Sequence, residues 1–581
     1  MMRVEWCQNR PMTDYRALAR RWIESDPEPN YRGEVERLLA ADSPDLVELF
    51  TGRLAFGTAG LRAALGPGPN RMNRRVVRET TAGLMHWLAG GGSGHRNPPL
   101  VVIGYDARHG SAAFATDVAA VVGSLGGRAE ILPRPLPTPV LAAAVLHRGA
   151  DAGVMITASH NPPQDNGYKL YLGDGIQLVP PADGEIAASI DDVAADLAMV
   201  EQLSDTRLAH APEPIVLGED VVQHHLDLAV SALATDARSL GCVYTPMHGV
   251  GGEHLLRAFA QAGFPAPVVV VEQFDPDPDF PTVPFPNPEE SGALDLALAK
   301  AAEVGADLVL ANDPDADRLA VAVPARISPT SAGQYVALSG DQLGVLLADH
   351  LLRVRPGPNR QVAMSLVSSR LMAAMAESAG VRCTTTLTGF KWVARPIIER
   401  PDLQYLLGYE EAIGYSVGGL VRDKDGISAA LVAAEMVADA KRCGETMWDR
   451  LDRLAVTHGL FRTAPLSVRL PGADGMVRRA ELLAALLLDP PRQVGEATLI
   501  EVIDLEAGRD LPPTEGLVLN YDDRTRVIVR PSGTEPKLKA YFEVVVPVAG
   551  IESLPGAEST ATVRLGEFTA AFGARLTATA E

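Results

Sequence analysis

The chain has 581 residues, 47 % of them hydrophobic and 22 % charged, with a formal net charge of −21 at neutral pH. That length is too great for one hydrophobic core and points to roughly three to five domains. The acidic balance argues against nucleic acid or an anionic membrane as partner, so a small anionic ligand has to be held by a local cluster of Arg and Lys.

In chain order, the first signals are at the N-terminus. Arg3, Glu5 and Arg10 leave no apolar secretory core there. Residues 14–50 then place Tyr15, Leu18, Trp22, Val35, Leu38, Leu39, Val47 and Phe50 at helical spacing, which predicts two or three short helices in an extension over residues 1–50. Short apolar runs follow, each ending in polar residues. Leu100–Ile103 leads into Gly104-Tyr105-Asp106-Ala107-Arg108, and Gly153–Ile156 into Thr157-Ala158-Ser159-His160-Asn161-Pro162-Pro163. Leu308–Leu310 leads into Asn312-Asp313-Pro314-Asp315, and Tyr405–Leu407 into Gly408-Tyr409-Glu410-Glu411. Runs without alternation predict strands covered on both faces, whose ends gather ligands in open α/β sheets. Ala/Leu-rich stretches at 293–304 and 428–441 predict helices between them.

The last 120 or so residues differ, with β-rich runs such as Arg526–Val529 and Tyr541–Val546, and read as a separate α+β domain. The expected divisions are 51–237, 238–340, 341–457 and 458–581 after the extension. Hinges are expected near 235–239 and 455–465, and a loose loop over 548–562. Cys7, Cys242, Cys383 and Cys443 are scattered without a C-x-x-C pair, and read as reduced, mostly buried thiols of a cytoplasmic protein. No charge-free apolar run reaches the roughly 18 residues that a membrane span needs.

Four constellations carry chemistry. The turn around Ser159 lacks the G-x-S-x-G spacing of a hydrolase elbow, yet places a serine beside a histidine and shortly before Gly167-Tyr168-Lys169. Asp313, Asp315 and Asp317 put three carboxylates on one loop, which suits a hard dication; Arg318 and Pro324 stand where an EF-hand needs Gly and Glu. A haloacid-dehalogenase-type aspartyl nucleophile is the rival reading of that loop, with Asp317 standing where its motif wants Thr or Val. Arg530-Pro531-Ser532-Gly533-Thr534-Glu535-Pro536-Lys537 offers charged, hydroxyl and backbone donors to a phosphate without being a Walker loop. Glu410 and Glu411, with Arg422–Gly426 nearby, are paired acids able to accept hydrogen bonds from sugar hydroxyls. Each also has a plain alternative: a polar turn, a solvated acidic loop, or acids at a helix start.

In this order and at this separation, the four motifs resemble those of the α-D-phosphohexomutase superfamily over roughly residues 50–581. The chain is most similar to its phosphoglucomutase-2 and phosphopentomutase-like subgroup. That likeness rests on Leu54–Arg62, Asn70–Asn73, Thr388–Trp392 and Tyr409–Tyr415, and on the helical extension. The resemblance implies three similar mixed-sheet α/β domains and a C-terminal α+β domain around a central cleft. It implies a phosphorylated Ser159 which, with Asp313, Asp315 and Asp317, holds Mg²⁺. His160 and Lys391 are then acid/base candidates, with Arg62, Lys169 and Arg318 around the transferring phosphoryl group and Asp106 and Arg108 supporting the serine. Thr58, Gly389, Glu410, Glu411 and Lys424 would bind the sugar, and Arg530, Ser532, Gly533, Thr534 and Lys537 the second phosphate. One departure is Ala412, where typical phosphoglucomutases carry Ser.

The activity so implied interconverts hexose 1- and 6-phosphates of glucose or mannose through a bisphosphorylated sugar, with a glucose 1,6-bisphosphate-type activator. A phosphopentomutase, a sugar 1,6-bisphosphate synthase, a metal-dependent phosphatase and a non-enzymatic sugar-phosphate sensor are the alternatives. The expected partner is a phosphosugar, with monomer and dimer both open.

Overall fold

Three short helices, Tyr15–Ser25, Pro29–Ala40 and Asp45–Phe50, open the structure. It is a computed structural model describing residues 14–57, 60–92, 97–326, 333–470, 475–531 and 537–577. Asp14 caps the first helix by accepting from the Ala17 N–H at 2.9 Å. Trp22, Val35, Leu46 and Phe50 bury a small core against Val76, with Trp22 and Phe50 packed edge to face.

The chain forms two compact units. The first takes the described residues up to Leu136 together with Ala144–Glu219. Its strands are β1 (Leu61–Ala64), β2 (Leu100–Tyr105), β3 (Arg128–Ile131), β4 (Ala152–Ile156), β5 (Asp165–Leu172) and β6 (Ile215–Val216), in the sheet order β1-β5-β4-β2-β3-β6. The central pairs β4/β2 and β2/β3 are parallel, while β5 returns antiparallel beside β4 and pairs with β1. Leu100–Ile103 and Ala152–Ile156 are buried throughout, which is why neither run alternates in sequence.

The second unit contains Pro137–Ala143 and the described residues from Asp220 onward. Its first sheet comprises β7 (Cys242–Thr245), β8 (Val268–Val269), β9 (Leu308–Ala311), β10 (Ala320–Pro324) and β11 (Tyr335–Ala337), ordered β11-β10-β9-β7-β8. Its second comprises β12 (Arg360–Ser365), β13 (Arg382–Thr386), β14 (Gln404–Glu410) and β15 (Gly414–Val417), ordered β13-β12-β14-β15. Both keep the parallel core and antiparallel edge of the first unit's sheet. The buried helix Gly426–Arg442 and the helix Gly340–Val354 share one continuous core with these two sheets.

The third sheet of this unit is antiparallel throughout. It has β16 (Leu460–Arg469), β17 (Gln493–Val494), β18 (Ala497–Asp504), β19 (Leu517–Tyr521), β20 (Arg526–Pro531) and β21 (Lys537–Val546), ordered β16-β21-β20-β19-β18-β17. Helices Gly475–Leu488 and Leu554–Thr577 cover it. The mixed-sheet α/β architecture with a C-terminal α+β part matches the expectation.

Three local expectations need correction. Residues 548–562 are not a loose loop. A 3-10 turn at Ile551–Ser553 leads into the helix Leu554–Thr577, which buries Leu554, Ala557, Ala561, Phe568 and Phe572. Pro555 and Gly556 suggest a loop, but proline is tolerated in a first helical turn. The break expected over 455–465 narrows to Gly459 (φ +97°), between the helix Met447–His458 and β16. Residues near 235 are clamped, because Glu435 accepts from the Ala234 and Thr235 N–H groups at 2.9 and 2.5 Å.

The thiols are less uniformly buried than expected. Cys242 is buried, Cys383 intermediate and Cys443 exposed, and Cys7 lies outside the described residues. No helix among the described residues is long and apolar enough to cross a membrane.

Candidate active site

In the first unit, β4 ends at Ile156 and the chain turns through Thr157–Pro163 before entering β5. Ser159 takes a left-handed backbone (φ +53°) although it is not glycine, a strain that persists only where surroundings impose it. Here they do. The Arg108 guanidinium donates to the carbonyls of Ser159 and Asn161 at 2.6 Å, of Pro162 at 2.8 Å and of Asp165 at 3.2 Å. Asp106 holds that arginine, with Oδ2 at 3.3 Å from its Nε and Oδ1 accepting from the Arg108 N–H and the Ser111 hydroxyl. Burial pushes the Asp106 carboxyl up, against the pull of Arg108, Ser111 and Thr157.

The resemblance has Asp106 and Arg108 support the serine; their geometry is that of positioning residues that shape the serine loop's backbone. The Ser159 N–H donates to the Thr157 hydroxyl at 2.9 Å, and His160 Nδ1 lies 3.3 Å from Ser159 Oγ. Arg62 on β1 is opposite Gly167 on β5, two residues before Lys169, so Arg62 and Lys169 rise from the same sheet face. Gly167 admits no side chain, since a Cβ would stand 2.6 Å from the carbonyls of Leu61 and Thr157. Thr58 lies outside the described residues.

In the second unit, the loop between β9 and β10 carries Asp313, Asp315 and Asp317, all buried, with carboxylate oxygens within 4.8 Å of one another. Neutral donors fold it. Asn312 donates to the Arg318 carbonyl at 2.6 Å and accepts from the Tyr244 hydroxyl at 3.0 Å. Thr138 holds Asp315 twice, donating its hydroxyl to Oδ2 at 2.6 Å and its N–H to the carbonyl at 2.9 Å. Ala316 (φ +54°) lets the loop reverse, and its carbonyl accepts from the Gly426 N–H.

Two cations balance the carboxylates. Lys424 Nζ lies 3.2 Å from Asp317 Oδ2, and Arg318 Nε lies 3.9 Å from Asp317 Oδ1. Burial alone would lower the Lys424 pKa, but Asp317 and Asp423 outweigh it and keep the ammonium firmly charged. Three buried, oxygen-only ligands at this separation fit a hard divalent cation such as Mg²⁺.

The turn from β14 to β15 lies against this loop. Leu319 donates its N–H to the Ile413 carbonyl, and Arg318 donates to the Ala412 carbonyl at 3.0 Å. Ile413 is again left-handed (φ +52°), so Ser159, Ala316 and Ile413 place non-glycine strain in one motif loop of each mixed sheet. The paired acids diverge. Glu410 accepts from the Gly389 N–H at 2.6 Å, facing the short helix Phe390–Val393 that carries Lys391. Glu411 turns toward Ser365, whose hydroxyl donates to it at 3.2 Å. Burial pushes the Glu411 carboxyl up to about 7, helped by Glu410 and Asp341 and opposed by Lys539.

Arg530 lies near the end of β20 and Lys537 begins β21; Ser532, Gly533 and Thr534 lie outside the described residues. Arg530 faces Lys539 across the ladder, so Arg530, Lys537 and Lys539 share one face. Burial lowers the Lys539 pKa, Glu411 raises it, and Lys537, Arg530 and Arg318 lower it further, which sets these cations beside the turn from β14 to β15.

Sequence reasoning missed Thr138, Asn312 and Lys539. Thr138 is 177 residues from Asp315, and only the Pro137-Thr138-Pro139 helix start hints at it. The alternation Lys537, Lys539 could have revealed the last.

Comparison with known proteins covers most of the chain. Residues 53–196, 221–326 and 339–454 match the phosphoglucomutase/phosphomannomutase alpha/beta/alpha domains I, II and III, and 492–558 match its C-terminal domain. A probable phosphomannomutase of Haemophilus influenzae is 42 % identical over 477 residues, covering 81 % of this chain and 93 % of that protein. The phosphopentomutase of Mus musculus is 34 % identical, covering 90 % and 89 %. The crystal structure of a putative phosphomannomutase from Thermus thermophilus shares the fold, with a TM-score of 0.64 at 24 % identity over 89 % of this chain and 99 % of that one.

Proposed function

The chain belongs to the phosphoglucomutase/phosphomannomutase family of phosphomutases, and from that premise we propose that it interconverts hexose 1-phosphates and hexose 6-phosphates of glucose or mannose. The observation that carries this reading is the pairing of motifs. One loop holds a strained, braced serine beside a histidine, and another holds three converging carboxylates.

In this reading Ser159 is the phosphate carrier. Its phosphoryl group passes to the free hydroxyl of the bound sugar phosphate, giving a sugar bisphosphate. The bisphosphate turns over and returns its other phosphate to Ser159, so a glucose 1,6-bisphosphate-type compound primes the enzyme. Asp313, Asp315 and Asp317, with the phosphoserine, hold Mg²⁺, which when bound neutralises charge on the phosphoryl oxygens.

Arg62, Lys169 and Arg318 stabilise the same charge. His160, 3.3 Å from the serine hydroxyl, and Lys391 move the protons that the transfer requires. Glu410 orients the sugar through its hydroxyls. Arg530 and Lys537, with Ser532, Gly533 and Thr534, grip whichever phosphate is not transferring, and Lys539 extends their cationic face. Water is kept from the phosphoserine when the sugar and these donors fill the site. A cytoplasmic location fits the small phosphorylated substrates.

Ser159→Ala is expected to abolish mutase turnover while sugar-phosphate binding survives; full activity in that variant overturns the assignment. Ala412 favours a second reading, a phosphopentomutase, because the sugar turn lacks a side-chain hydroxyl there and the mouse phosphopentomutase is 34 % identical. Measuring kcat/KM for glucose 1-, mannose 1- and ribose 1-phosphate separates the two. The hexose reading predicts preference for a hexose, and Ala412→Ser then raises hexose over pentose selectivity by about threefold to tenfold. A clear preference for ribose 1-phosphate moves the substrate to pentoses.

A further inference from the structure

Behind the metal loop, three buried titratable side chains form a chain that the proposed reaction does not use. His225, on the helix Glu219–Ser231, and His254, on the helix Gly251–Ala262, place Nδ1 and Nε2 2.8 Å apart, with ring centroids at 4.9 Å. His225 Nε2 lies 3.3 Å from Oδ2 of Asp425, and all three residues are at most 2 % exposed.

Asp425 is the hub. Its other oxygen caps the helix Gly426–Arg442 by accepting from the Ile427 and Ser428 N–H groups at 3.0 and 3.2 Å. Its own N–H donates to the Tyr415 carbonyl on β15, and the next N–H, of Gly426, donates to Ala316 between Asp315 and Asp317. The residue just before it is Lys424, the ammonium against Asp317.

Burial would raise the Asp425 carboxyl. The charge and hydrogen bond of His225, with hydrogen bonds from Ser428, hold it below the usual carboxylate range, so it is an anion that accepts. Nε2 of His225 therefore carries the proton it donates. With that nitrogen donating to Asp425, Nδ1 of His225 shares a hydrogen bond with Nε2 of His254, and the two helices lock one orientation of Asp425.

We propose that His225, braced by His254, is a positioning residue that acts through Asp425 to hold Lys424 against Asp317 and so sets the charge felt by the metal site. The proposal rests on reading Asp313, Asp315 and Asp317 as metal ligands. A merely structural brace, once lost, would lower stability and leave the local charge of the triad alone. A positioning brace, once lost, releases Lys424 from Asp317 and removes a cation that opposes a dication there.

The test is Mg²⁺ binding by titration calorimetry to the unphosphorylated full chain, without sugar, alongside amide hydrogen exchange at Ile427 and Ser428. Lys424→Met is expected to tighten Mg²⁺ binding by about fivefold through loss of the opposing charge. His225→Leu is expected to do the same and to speed exchange at both amides, and the double variant to bind Mg²⁺ no tighter than Lys424→Met alone. His225→Gln, whose amide can still donate to Asp425, is expected to keep the wild-type affinity. It also serves as the folded comparison where His225→Leu is unstable, with Asp425→Asn then taking the place of the leucine variant.

Wild-type Mg²⁺ affinity in His225→Leu or Asp425→Asn, with Lys424→Met tightened, overturns the proposal. So does a double variant whose effects simply add. Absence of Mg²⁺ binding by the wild-type chain overturns the metal-site reading instead.

Discussion

The serine loop and the aspartate loop solve opposite problems with buried charge. In the first, a buried arginine gives its hydrogen bonds to the carbonyls of Ser159, Asn161, Pro162 and Asp165, so a cation shapes the backbone of the motif. In the second, neutral partners such as Thr138 and Asn312 shape the backbone, and the carboxylates are left gathered within 4.8 Å. The difference teaches that the first loop is built for a fixed geometry and the second for a concentration of negative charge that suits a divalent cation. The turn from β14 to β15 uses a third device, since Glu411 escapes part of its burial cost by holding a proton near neutral pH.

The comparison breaks most sharply at Arg108. Arg108→Ala strands several buried carbonyls and the Asp106 carboxylate, which is expected to cost about 3–5 kcal/mol of stability, read by chemical denaturation. Turnover should fall by about a hundredfold or more, because the left-handed Ser159 loses its support. Arg108→Lys should rescue little, since an ammonium lacks the planar fork. A variant that keeps wild-type stability would remove the contrast.

Asp315→Asn tests the other side. The amide oxygen can still accept from Thr138, and removing one of three crowded anions relieves repulsion, so metal-free stability is expected to hold or rise by up to about 1 kcal/mol. Activity is nevertheless expected to fall by about a hundredfold or more with Mg²⁺ present. A loss of stability as large as that of Arg108→Ala would show that the triad is a structural device.

The smallest effect concerns Glu411. Its folded-state pKa of about 7 lies above the ordinary 4.5, so the folded chain keeps a proton that the unfolded chain releases. Stability from this group therefore falls as pH rises between those values, and the full cost is present above about 7. Glu411→Gln is expected to be more stable than wild type at pH 8 by on the order of 1 kcal/mol, with the gain shrinking toward pH 4.5. A pH-independent difference would contradict the account.

Much of this is legible in the sequence because it is local. Ser159 and Asp313, Asp315 and Asp317 sit in short runs directly after buried strands, and unalternating apolar residues mark those strands. What escapes is what the fold brings together from afar. Thr138 meets Asp315 across 177 residues, and His225 meets Asp425 across 200, with no local pattern to announce either. Arg108 is legible as a supporting residue, but its four carbonyl partners depend on how the turn closes. The start of the helix Leu554–Thr577 reads as a loop because Pro555 and Gly556 are loop signals whose weight tertiary burial overrides.

The central claim is that Ser159 carries the phosphoryl group. It is tested most directly by incubating the chain with radiolabelled glucose 1,6-bisphosphate and Mg²⁺, mapping the label, and then chasing with unlabelled glucose 1-phosphate. The account predicts label on Ser159, its departure into hexose phosphate during the chase, and no label in Ser159→Ala. Sustained mutase turnover with no phosphate ever found on Ser159 would contradict it.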